Sequence, residues 1–118
     1  MSTAAQLSIE LVVSPEELDG TESSLEIQVA VRNEGDSTVD SGIRGSKLLI
    51  DGTPSIAWSL AISNGTGDVR ERELPPGESI QARRMMTGAL LGGPGRHELT
   101  LEIGDARSSS ATVTLKEE

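Results

Sequence analysis

The chain has 118 residues and no cysteine, and its 19 acidic residues against 10 basic ones give a net charge of −9. That length accommodates one domain, residues 1–118, with a core that needs no disulfide staples. An acidic field of this size repels phosphate backbones, so nucleic acid is not an expected partner.

The start, Met1 to Gln6, has no basic stretch leading into an apolar run, so no secretory signal is read there. No apolar stretch approaches the roughly 20 residues of a spanning helix, and no membrane insertion is expected. Leu7, Ile9, Leu11 and Val13 then alternate with polar residues, the period-two pattern of a strand with one wet face. Ser14-Pro15 and Asp19-Gly20 interrupt it. Leu25, Ile27, Val29 and Val31 form a second alternating run, stopped by Asn33-Glu34-Gly35-Asp36.

Ser37 to Gly45 is polar and reads as a connection with a weak edge strand. Lys47 to Ile50 and then Ile56, Trp58, Leu60 and Ile62 read as two strands joined through a tight Asp51-Gly52 turn. Val69 to Leu74 is charged, as on an exposed edge strand. Pro75-Pro76-Gly77-Glu78 is the clearest turn of the chain, and Ser79 to Met85 follows as a strand. Met85 to Gly95 reads as a loop. His97, Leu99, Leu101 and Ile103 share one face of the next strand, and Ala111, Val113 and Leu115 one face of the last.

No window keeps a 3.6-residue pattern with caps, so the chain is predicted to be all-β: an immunoglobulin-like antiparallel β-sandwich of Greek-key type, with seven to nine strands. Several strands look like charged edges, which a closed barrel would not need.

Four motifs carry a family resemblance: LEIQVAVRNEG at Leu25–Gly35, LLIDG at Leu48–Gly52, ELPPGES at Glu73–Ser79 and PGRHELTLEIGD at Pro94–Asp105. Together they resemble the CARDB domain, the cell-adhesion-related domain found in bacteria. The same Asn-containing strand end, the tryptophan on a middle strand and the Leu-Pro-Pro-Gly-Glu-Ser turn are also similar to the BsuPI family of intracellular proteinase inhibitors. The first resemblance implies an adhesion or binding module. The second implies protease inhibition, with Met85 to Gly93 as the blocking loop. Where both families carry aromatic residues, this sequence has Met85, Met86 and Leu91.

The chemistry-bearing residues are few. His97 is the only imidazole, and without a Gly-x-Ser-x-Gly elbow it reads as an inward residue at a strand start, either capping the core rim or bonding a carbonyl; the chain is not expected to be an enzyme. One histidine and no thiol leave no zinc set, and the loop residues Asp19, Asn33, Asp36, Asp40, Asp51, Asn64 and Asp68 are explained by turn chemistry, so neither metal nor cofactor is expected. Asn64-Gly65-Thr66 matches a glycosylation acceptor. Trp58 reads as a core pin. Met85, Met86, Ala89, Leu90 and Leu91 are the apolar residues without strand periodicity; they either close one end of the core or form an adaptable surface, with Met85, Met86, Leu90 and Leu91 as the candidate binding residues.

The expected function is therefore a non-catalytic module presenting loops or an edge strand to a protein or glycan partner, with a homodimer through an edge strand as a further expectation. A cytoplasmic location follows if Met1 is the native start, and a surface location if the chain is one module of a longer protein.

Overall fold

Alternation of buried and exposed side chains is the local rule that builds this molecule. The computed structural model describes residues 6–63 and 71–116. In chain order the elements are β1 (Leu7–Ser14), β2 (Glu17–Leu18), β3 (Ser24–Asn33), β4 (Lys47–Ile50), β5 (Thr53–Pro54), α1 (Ile56–Ser63), β6 (Ser79–Thr87), β7 (Gly95–Ile103), β8 (Ala106–Arg107) and β9 (Ala111–Leu115). β1, β3 and β6 make one antiparallel sheet, with β3 central. The second sheet runs β2-β9-β7-β4-β5, and β8 pairs with β7. The chain switches sheets after β1, so β2 lies parallel to β9, and it switches again on either side of β3 and on either side of β6. That is the expected immunoglobulin-like sandwich.

The core is aliphatic. Ile27, Val29 and Val31 of β3 face Leu48 of β4, Leu99 and Leu101 of β7 and Val113 of β9 across the two layers, all essentially inaccessible to water. Each such side chain contributes roughly 1.5–3 kcal/mol by leaving water.

The turns form where their residues demand. Asp51 and Gly52 have φ of 54° and 87° and join Ile50 to Thr53, a two-residue type I′ hairpin. At the Pro75–Glu78 turn the Glu78 amide donates to the Pro75 carbonyl and Gly77 has φ of 80°, the left-handed conformation that type II turns assign to glycine. Asn33 ties that turn to the end of β3. It is fully buried; its Nδ2 donates to the carbonyls of Ser37 (2.7 Å) and Leu74 (2.8 Å), and its Oδ1 accepts from the Gly35 amide (2.9 Å).

Three expectations need correction. Ile56 to Ile62 is the helix α1, not a strand. Ser55 caps it, its Oγ accepting from the Trp58 amide at 3.2 Å, and Trp58 and Ile62 form its buried side. Met85 and Met86 belong to β6, which runs on to Thr87, and Gly88–Leu91 is a 3-10 turn. Glu71 to Leu74 contributes only an isolated bridge, Leu74 to Val39, to which the weak edge strand of Ser37–Gly45 also reduces. Val69 and Arg70, like the Asn64-Gly65-Thr66 sequence, lie outside the described residues. No helix among the described residues is long and apolar enough to cross a membrane.

Candidate functional site

His97 stands at the start of β7, where both of its ring nitrogens are engaged. Nδ1 lies 2.6 Å from Asp51 Oδ2 and Nε2 lies 2.8 Å from the Gly93 carbonyl oxygen. Asp51 Oδ1 accepts in turn from the Glu98 amide at 2.9 Å. Burial of the ring opposes its charged form, but the Asp51 carboxylate and the Gly93 carbonyl outweigh burial and raise the histidine above its ordinary 6.5. The Glu98 amide first, and the His97 ring second, hold Asp51 below its ordinary 3.8. The arrangement fastens the β4–β5 turn and the Gly93 loop to β7. It leaves no ring nitrogen free to face a serine hydroxyl, and it includes the carbonyl contact read from the sequence.

The four residues read as a binding set differ in exposure. Leu91 is buried, and Met86 and Leu90 pack against the core. The turn that holds Leu90 and Leu91 is pinned, since the Gly88 amide donates to Ser23 O and the Ala89 amide to Thr21 O, both at 3.0 Å. A Cβ on Gly88 would come within 2.6 Å of the Gly20 carbonyl, so the approach needs glycine. Met85 alone points outward, 62% exposed.

A larger apolar surface comes from α1, where sequence reasoning placed a strand. Ile56 is 77% exposed and Leu60 62%, and their i, i+4 spacing sets them on one side of the helix, opposite Trp58 and Ile62. Arg84 Nε donates to the Ala61 carbonyl at 3.2 Å, tying the helix to β6. Met85, next to Arg84 in β6, points to the opposite face of that strand. The signals that distinguish the helix were Ser55 in the capping position and Ala57 and Ala61, strong helix formers, within the run. Among the described residues no group of three or more histidine, cysteine, aspartate or glutamate side chains could hold a metal ion.

No protein-family model and no curated protein matches the chain. Among solved structures it is similar to the CARDB domain of a Pyrococcus furiosus protein, crystallised in complex with di-metal ions. The TM-score is 0.63 at 16% identity, over 97% of this chain and 96% of that one. The fold is CARDB-like. A β-glucosidase from Erythrobacter marinus is similar at a TM-score of 0.54 and 15% identity over 94% of this chain, which spans only 15% of that enzyme. At these identities the likeness is one of fold: the CARDB-like sandwich read from the four motifs is present, and the BsuPI resemblance finds no support in these comparisons.

Proposed function

We propose that this CARDB-like domain is a non-catalytic binding module whose partner is a protein, contacted through the outer side of α1. The observation that carries the reading is the exposure of Ile56 and Leu60 on one helical side while Trp58 and Ile62 anchor the other. Large apolar side chains gathered on the surface of a soluble domain mark interaction sites. A protein is favoured over a glycan because the chain's one aromatic ring is buried and offers no stacking platform.

The reading is tested by placing a photo-cross-linking amino acid at position 60 in cells expressing the chain. A discrete protein adduct that disappears when Ile56→Glu is added supports it. Absence of any adduct, together with a saccharide ligand on a glycan array, transfers the function to the glycan alternative.

A further inference from the structure

Sheet edges in a sandwich expose rows of unpaired amides and carbonyls, and chains that remain monomeric block them. Among the described residues, the edges other than β1 carry such blocks. β5 is two residues long and ends in Pro54. Beside β9, the Thr114 amide donates to Glu16 O (2.8 Å) and the Lys116 amide to Leu18 O (2.9 Å). On β6, the Arg84 guanidinium folds over the sheet margin, Nη1 donating to the Arg83 carbonyl at 2.9 Å and Nε to Ala61 of α1.

β1 has none of these devices. Its eight residues include no lysine, arginine or proline, and Glu10 is its single charge. The Glu34 amide donates to Gln6 O at 2.7 Å, which sets the phase of the β1–β3 ladder. Even-numbered residues of β1 therefore bond to β3, and the amides and carbonyls of Ile9, Leu11 and Val13 point away from the sheet. A cleft of about 590 Å³ borders that row, lined by Leu11, Val12 and Val13 of β1, by Glu16 and Glu17 and by Ala111 and Thr112 of β9. Val12, on the outer face, is 47% exposed.

We propose that β1 pairs antiparallel with β1 of a second copy, Leu11 facing Leu11 across a two-fold axis. The strand is self-complementary in this register. Ile9 meets Val13, Leu11 meets Leu11, and about six backbone hydrogen bonds form, two for each facing pair. On the outer face Glu10 lies opposite Val12 and Ser8 opposite Ser14, so the exposed Val12 is covered by glutamate methylenes. Shifting the partner so that Ile9 faces Leu11 would set Glu10 against Glu10, and like charges directly opposite destabilise a ladder. Because each copy carries a net charge of −9, added salt strengthens the association. The proposal does not depend on α1 and stands or falls separately from the reading above.

Sedimentation equilibrium from micromolar to millimolar concentration tests it. The wild type is expected to show a monomer–dimer equilibrium. Val12→Glu sets two pairs of like charges across the axis and weakens the dimer roughly tenfold or more, with circular dichroism and melting unchanged because position 12 faces outward. The double variant E10K/V12E sets opposite charges across the same axis and restores dimerisation. A wild type that stays monomeric throughout, a V12E dimer as tight as the wild type, or an E10K/V12E chain that remains monomeric would each overturn the proposal.

Discussion

The indole Nε1 of Trp58 donates to Ser46 Oγ at 3.0 Å, and both groups are buried. This bond fixes the rotation of α1 about its own axis, and with it the direction in which Ile56 and Leu60 face. Ser46→Ala would strand the indole N–H in the interior, a loss of about 1–3 kcal/mol. Trp58→Ala removes the whole anchor and should cost about 3–5 kcal/mol. Urea denaturation followed by circular dichroism gives both values, and a Trp58→Ala loss below that of Ser46→Ala would contradict the anchoring role.

Asn33 is predicted to resist every substitution, because its amide supplies two donors and one acceptor at a site closed to water. Asn33→Ala takes the side-chain partner from the Ser37 carbonyl and the Gly35 amide and leaves the Leu74 carbonyl only its bond from the Val39 amide, for a loss of about 2–4 kcal/mol. Asn33→Asp replaces both donors by a carboxylate aimed at two carbonyl oxygens. Its deficit against the wild type should narrow at acid pH, where the protonated carboxyl can donate once. Equal deficits at pH 4 and pH 7 would show that the side chain faces water.

The His97 clamp makes stability depend on pH in a defined sense. Asp51 Oδ2 and Gly93 O both accept, so the ring satisfies both only as the imidazolium. The folded value is raised above 6.5, so the contribution is fully present below pH 6.5 and is lost as pH rises through the higher folded value. Asp51 acts in the opposite direction: lowered from 3.8, its contribution holds above that value and fades as pH falls through the folded one. Proton NMR of the single histidine should give a midpoint above 6.5, and melting temperatures of His97→Gln should lack the decline expected of the wild type as pH rises through that midpoint. A midpoint below 6.5 would mean that the clamp is open in solution.

Four strands and both diagnostic turns were most legible because alternation and turn residues leave little choice in a sandwich: β1, β3, β7 and β9 each bury every second side chain where the sequence predicts it. α1 was not legible, for a specific reason. Ile56, Trp58, Leu60 and Ile62 satisfy period two, yet the pairs 56/60 and 58/62 equally satisfy the helical i, i+4 rule. With apolar residues on both sides, the run has no amphipathic contrast to separate the templates. The strand read as Ser79 to Met85 runs two residues further, to Thr87, and carries Arg84 at an inward position. The position tolerates arginine because the guanidinium reaches out to Ala61 and Arg83 at the sheet margin.

The reading of Ile56 and Leu60 as a recognition surface requires that they hold nothing together within the domain. The double variant I56S/L60S, unfolded in urea beside the wild type, measures this directly. The expected result is stability within about 0.5 kcal/mol of the wild type, as for surface positions free of structural duties. A loss above about 2 kcal/mol would place both side chains in the interior and remove the surface on which the proposed function rests.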